Sequence, residues 1–313
     1  MPIPTPPPAI ARAGLRALKT VATADGEFQA LERDLLDSLQ RYVLHSELEL
    51  DALEPITAEE LAEAVPEGEF RERILHGAIM MALIDGEAAE SEMKLVDSFA
   101  RAFGIADASL KDMHRFADGH FKIIRIDLMR RFVAADRLKK EWNEKGLRGI
   151  WSLISVAIKG EDAALAAKYQ ALEQLPEGTL GREYFEFIRR SGFSLPGEKG
   201  SGPELIMFHD CNHVLGDYGT SAEEETQVAA FHAGYRGHDK FGLLLFLLMQ
   251  FHLGVQITPT TAGVRGVVKP DLVFKAFERG TQVNCDLISD WDPAADFEVP
   301  VAELRARFNV LPR

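Results

Sequence analysis

Two histidines four residues apart, His209 and His213, followed by Gly216, Gly219 and then Glu225, predict a helical hairpin more firmly than anything else in the chain. If residues 204–215 are helical, the two imidazoles share one face and are close enough to grip a single divalent ion. Gly216 and Gly219 then break that helix, and Thr220 or Ser221 caps the next, because each is followed three residues later by a glutamate, Glu223 and Glu224. So short a turn folds the second helix back on the first and brings an oxygen of Glu225 beside the imidazoles. Asp210 sits about 100° round the helix from His209. It is a candidate further ligand, or a group that orients an imidazole. A lone histidine is usually a core or surface group, but a pair at this spacing with carboxylates nearby favours a metal site, and His209, Asp210, His213 and Glu225 are its candidate residues. His232, seven residues after Glu225 on the same helix face, is a candidate neighbour of that site.

The first third of the chain repeats itself at an offset of sixty. Asp25-Gly26-Glu27 matches Asp85-Gly86-Glu87, Glu32 matches Glu92, residues 35–39 match residues 95–99, and Arg41 matches Arg101. Each copy has an apolar helix (Leu15, Leu18, Val21, Ala22; then Ile74, Ile79, Met80, Leu83), a glycine turn and an amphipathic helix led by acids. Two such hairpins pack as a small bundle. The acids at the turns complement helix N-termini whether or not an ion binds, and their spacing is not that of an EF-hand loop. Between the copies, Thr57 and Glu60 spell a capping box.

Charge separates this region from the rest. Residues 1–115 hold 11 Lys and Arg against 22 Asp and Glu, which leaves 24 against 27 for residues 116–313, within a total of −14. Nucleic acid is a poor partner for such a chain, because neutralising phosphates needs a basic surface. Cys211 and Cys285 are isolated, which fits a reducing cytoplasm rather than a disulfide framework. Residues 1–9 are proline-rich, with neither the basic nor the apolar segment of a secretory signal, and read as a disordered leader.

Further on, Phe121, Ile124, Leu128 and Phe132 recur at helical spacing, with Lys122, Arg125, Arg130 and Arg131 on other faces. Such a helix could touch an anionic bilayer, or simply expose a solvated face. Residues 175–179 are a turn leading into a helix through Tyr184 and Ile188. The Gly- and Pro-rich stretch 192–203 is either a connector or a lid over the site. Residues 241–249 are apolar on every face yet too few to span a bilayer, so they read as a buried core helix. Pro270 starts another helix, Gly280 ends it, and Val301 starts a last short one. No stretch alternates well enough to predict a sheet, so the expected class is all-α.

Two resemblances add to this. His209-Asp210-x-x-His213, eleven residues and Glu225 reproduce the metal motif of the Coq4 family of ubiquinone-biosynthesis proteins. Leu175-Pro176-Glu177-Gly178-Thr179-Leu180-Gly181 is similar to that family's upstream signature, and residues 277–280 and 301–310 to its closing segment. The acidic repeat resembles the TerB family of tellurite-resistance domains, in which such acidic turns are associated with metal. The implied organisation is a leader (1–9), a TerB-like bundle (10–115) and a Coq4-like metal-binding helical domain (116–313). The Coq4 resemblance implies a divalent ion, with zinc best suited to the N/O ligand set. It also implies a prenylated aromatic acid as substrate, oxidative decarboxylation as the reaction, quinone-biosynthesis enzymes as partners and a cytoplasmic location with peripheral membrane contact. The competing readings are a non-catalytic lipid-binding scaffold and an HD-type metal phosphohydrolase. The latter rests on His209-Asp210 alone.

Overall fold

The computed structural model describes residues 3–129, 161–202, 204, 207–258 and 261–313. These form fourteen α-helices and no strand, with two isolated bridges, Thr179 to Pro300 and Leu253 to Arg265. The fold is all-α. The chain forms two compact units that interleave in sequence: residues 3–129 with Phe241–Glu278, and the described part of Arg130–Lys240 with Arg279–Arg313. The sequence predicts instead a single cut at 115/116. The segment from Phe241 joins the acidic repeat because its helix is apolar all round and finds partners there.

The acidic unit begins with α1 (Pro8–Ala22), which takes in the last two residues of the expected leader, since proline is tolerated in a helix's first turn. Then follow α2 (Ala30–Leu39), α3 (Ala58–Ala64), α4 (Glu69–Met81), α5 (Glu90–Phe103), α6 (Ala108–Ala117) and α7 (Phe121–Met129). The sixty-residue repeat is two similar hairpins, α1 with α2 and α4 with α5. Gly26 and Gly86 both have positive φ, 98° and 92°, where a side chain would be strained. The Asp25 and Asp85 carboxylates accept from the backbone N–H of Glu27 and Glu87, each at 2.9 Å. The first glutamates of α2 and α5 on the core side, Glu32 and Glu92, are both buried and lie close enough to feel each other's charge. Burial, before any charge effect, pushes them up to about 7 and about 8. Thr57 and Glu60 close the expected capping box on α3, with both bonds at 3.2 Å.

The apolar helix of this unit is α8 (Lys240–Phe251), and from Phe241 onward every residue but Phe246 is buried. Phe241 stacks on His76 at 4.1 Å, and the next histidine, His252, donates from Nε2 to the Ile84 carbonyl at 2.6 Å. Gln250, fully buried, gathers the following loop. Its amide donates to the Thr261 and Ala262 carbonyls and accepts from the Ile257 and Thr258 N–H groups. Helix α9 (Pro270–Thr281) begins as expected at Pro270, and its Asp271 accepts from Tyr42 and Arg41. No helix among the described residues is long and apolar enough to cross a membrane. Of the basic approach, α7 is seen, with Ile124 and Leu128 buried and Phe121 exposed, while Phe132, Arg130 and Arg131 lie outside the described residues.

The second unit holds α10 (Ala163–Gln170), α11 (Leu180–Arg190), α12 (Met207–Gly216), α13 (Ala222–Tyr235) and α14 (Val301–Phe308). Tyr169, Tyr184 and Phe297 pack with centroids 6.1 Å apart. The first N–H groups of α11, which no helical carbonyl can satisfy, donate to the Val299 and Phe297 carbonyls at 2.9 Å. Gly181 is required there: a Cβ would lie 3.0 Å from that of Phe297 and 2.7 Å from Leu175. The stretch 192–202 is a pinned connector rather than a free lid. Glu198 accepts two bonds from Arg189 (2.6 and 2.7 Å), one from Gln170 and one from the Leu195 N–H, and residues 195–197 are buried.

Candidate metal centre

The hairpin is α12, a five-residue turn and α13. Helix α12 ends with the Tyr218 N–H donating to the His213 carbonyl at 3.0 Å. The left-handed residue that makes this possible is Asp217 (φ 58°), not Gly216. Gly216 is needed for a different reason, since a Cβ would fall 2.6 Å from the Tyr218 ring. Of the two expected caps for α13, Ser221 serves: its Oγ accepts from the Glu224 N–H at 3.3 Å and donates to the Glu224 carboxylate at 2.8 Å. The same carboxylate accepts from the Gly219 N–H and from Arg313. Burial opposes its charge, but these bonds from Ser221, Gly219 and Arg313 outweigh it and hold Glu224 below its ordinary value.

With Glu224 spent on the turn, Glu225 faces the histidines. His209 Nε2 and His213 Nε2 are 3.1 Å apart, and the two Glu225 oxygens lie 3.4 Å from His209 and 3.5 Å from His213. A tetrahedral zinc with bonds of ~2.0–2.1 Å spaces its ligand atoms by about 3.3 Å. The nitrogen–nitrogen distance, and the distance from each nitrogen to one of the two carboxylate oxygens, lie close to that figure. His213 is 1% exposed at its side chain, Glu225 22% and His209 33%, so the group opens to solvent past His209. His213 is oriented by its other nitrogen, Nδ1, 3.3 Å from the Tyr218 carbonyl. That bond puts the proton on Nδ1 and leaves Nε2 free to bind a cation. Phe187 of α11 stacks on the same ring at 5.2 Å.

The charges follow from this crowding. Burial, then the neighbouring His209, pushes His213 down to about 4. Burial opposes charge on His209 too, but Glu225 wins and raises it. Glu225, likewise buried, is lowered by the two histidines. Asp210 does not join the set: His209, His213 and Glu225 offer ligand atoms all within 4.8 Å of one another, and Asp210 is not among them. Burial, then repulsion from Glu225, pushes its carboxyl up to about 6.

Two arginines hold the end of α12. Arg305 donates to the Leu215 and Val214 carbonyls, both at 3.0 Å, and Arg279 donates to Gly216 at 2.7 Å while lying over the Tyr218 and Phe231 rings. No sequence signal marks either, because their partners are 63 to 91 residues away. His232 is present beside the site, edge-on to His209 with centroids 5.3 Å apart.

Fold and site together define an all-α protein whose candidate metal centre lies on a helical hairpin. No protein-family model and no curated protein matches the chain, so the Coq4 and TerB resemblances rest on the residues quoted for them.

Proposed function

We propose that the chain binds one divalent ion, zinc by its ligand chemistry, at His209, His213 and Glu225, and acts through it on a prenylated aromatic acid of the kind the Coq4 resemblance implies. The observation that carries the metal is a pair of imidazole nitrogens 3.1 Å apart, with one Glu225 oxygen 3.4 Å from His209 and the other 3.5 Å from His213, spacings close to those round a tetrahedral ion, and with one imidazole already locked in the ligating tautomer. The ion would supply Lewis acidity toward the oxygens of the substrate's head group. The chain contributes the rest: Glu225 offsets positive charge, Tyr218 and Phe187 fix the His213 ring, and the exposed edge of His209 leaves a side open. Oxidative decarboxylation breaks the bond between ring and carboxylate, releases CO2 and forms a ring C–O bond. It removes two electrons, which zinc cannot accept, so dioxygen is the oxidant: acid, O2 and water give phenol, CO2 and hydrogen peroxide.

Elemental analysis of the purified protein tests the metal, with about one ion per chain expected and none in a His209→Ala/His213→Ala variant. Full retention by that variant would reject the site. Quinone-intermediate profiling in a strain lacking the gene tests the substrate, and accumulation of a prenylated aromatic acid is the expected result. An unchanged profile rejects the reaction and leaves the metal standing.

A further inference from the structure

The acidic unit carries an apolar cleft of about 70 Å3 between α1, α4 and the π-helical turn Gln40–Leu44 that follows α2. Turns of that kind are rare and recur at functional sites. Ile10 and Gly14 of α1, Val43 and Leu44 of the turn, and Phe70 and Ile74 of α4 line the cleft, almost wholly with apolar atoms. Ile10, Val43, Leu44, Phe70 and Ile74 are only half-buried, so the cleft is reached from water. An enclosed aromatic ring needs about twice this room, since a cavity that takes up benzene measures about 150 Å3. A single alkyl chain is narrow enough to enter.

One charged residue lines the cleft, and it is a cation. Arg73 is half-buried, lies with its guanidinium 5.4 Å from the Phe70 ring centroid, and donates from Nη1 to the Pro4 carbonyl at 2.6 Å. Among the described residues no carboxylate forms an ion pair with it, and neither Nε nor Nη2 donates to a protein acceptor. Burial pulls the guanidinium below its ordinary range, and the attraction of Glu69, one turn earlier on α4, offsets that only in part. Residues 1–115 hold 22 acids against 11 bases, yet none of those acids lines the cleft. A partly buried cation without a bonded counter-charge is costly, and a carboxylate relieves it by accepting two parallel bonds from one edge of the guanidinium.

We propose that this cleft binds a single-chain carboxylate of the fatty-acid class, with the alkyl tail among the apolar side chains of α1, α4 and the turn and the carboxylate on the guanidinium of Arg73. A neutral chain leaves Arg73 without its counter-charge, and a small hydrophilic anion leaves the apolar walls in water, so an amphiphile suits both features. No metal takes part, so failure here leaves the reading of His209, His213 and Glu225 untouched.

Calorimetry on the full chain tests this with decanoate, 1-decanol, acetate and decyl phosphate. Wild type should bind one decanoate, bind 1-decanol about tenfold more weakly for want of the charged hydrogen bonds, and not bind acetate. Equal affinity for decanoate and 1-decanol, or acetate bound as well as decanoate, overturns the proposal, and decyl phosphate bound tenfold more tightly than decanoate overturns the carboxylate class. Arg73→Gln should bind decanoate and 1-decanol alike, and Val43→Trp, which fills the cleft from a half-buried wall, should bind neither while keeping the wild-type circular dichroism. An Arg73→Gln protein that still prefers decanoate tenfold overturns the proposal. Nuclear magnetic resonance needs no variant: decanoate methylenes should show Overhauser contacts to the methyl groups of Leu44 and Ile74, and their absence overturns it. If wild type binds no probe and self-associates in ultracentrifugation, the cleft belongs to a second copy of the chain, which overturns it as well.

Discussion

Arg279 offers the sharpest test of what holds the metal helix in place. Its side chain is 9% exposed and donates from Nε to the Leu311 carbonyl at 2.6 Å and from Nη1 to the Gly216 carbonyl at 2.7 Å. The guanidinium lies 5.3 Å from the Tyr218 ring and 5.1 Å from that of Phe231. Arg279→Met keeps most of the stem and removes both donors. Each hydrogen bond from a charged donor is worth about 1.5–3 kcal/mol, and each partly desolvated cation–π contact adds about 0.5–2 kcal/mol. Even the low ends sum to a loss of about 4 kcal/mol. With a urea slope of about 3 kcal/mol/M, the far-UV circular dichroism midpoint should fall by more than about 1 M. Gly216 is three residues from His213, so the loosened helix end should also weaken Zn2+ binding in calorimetry. Arg279→Lys keeps the charge but not the fork, and should fall between the two. If Arg279→Met unfolds within about 1 kcal/mol of wild type, these carbonyls are satisfied by water and the arginine is not what fixes the hairpin.

Other expectations follow from the same structure. Because Glu32 and Glu92 are raised to about 7 and about 8 from an ordinary 4.5, the fold favours their protonated forms. That stability is full below about pH 4.5 and is lost as pH rises through 7 to 8. Glu92→Gln should therefore have a higher urea midpoint than wild type at about pH 8.5 and no advantage at about pH 4.5, and a wild type equally stable at both pH values would refute the shift. Since Glu225 raises His209 above 6.5, metal must displace a proton over the neutral range. Zn2+ affinity should rise with pH there, with proton release visible when calorimetry is repeated in buffers of different ionisation enthalpy. A chain of residues 116–313 should aggregate or bind a hydrophobic dye, because it lacks the partners of residues 241–252, including His76 and Ile84. A monomeric, well-folded product would show that this segment can pack without the acidic repeat. Gly280→Ala should destabilise the metal unit, since its Cβ would strike the Phe231 carbonyl, and a urea midpoint equal to wild type would show that α13 can move aside.

What is legible in the sequence is local. The four-residue histidine spacing, the serine–glutamate cap of Ser221 and Glu224, the box of Thr57 and Glu60 and the proline that opens α9 each depend on atoms within five residues, and each appears where expected. Glu225 lands beside the imidazoles because the turn is too short to do otherwise. The end of α12 is less legible, since glycine is the usual left-handed occupant and Gly216 stands ready for that part. Aspartate also tolerates the conformation and takes it at Asp217, while the glycine is needed to admit the Tyr218 ring. The interleaved packing is not legible at all, since an apolar helix announces that it will be buried without saying against what.

The stretches that carry the Coq4 resemblance outside the ligand set hold no candidate ligand, and their positions explain why a metal hairpin would need them. The turn from Gly178 to Gly181 sets the start of α11 against residues 297–301, and α11 then lays Phe187 on the His213 ring. The closing segment supplies Arg305 to two of the last carbonyls of α12, and Arg279 takes the third. Gly280 admits the backbone of α13 at Phe231, one residue from His232. Three separate parts of the chain therefore touch the His213 ring, the last carbonyls of α12 and the backbone of α13. Carbonyl and ring contacts of that kind restrict the ligand atoms more tightly than the five-residue turn alone could. Two imidazole nitrogens held 3.1 Å apart with a carboxylate oxygen within 3.4–3.5 Å of each gain from such restraint, because it keeps the ligand atoms convergent whether or not an ion is bound.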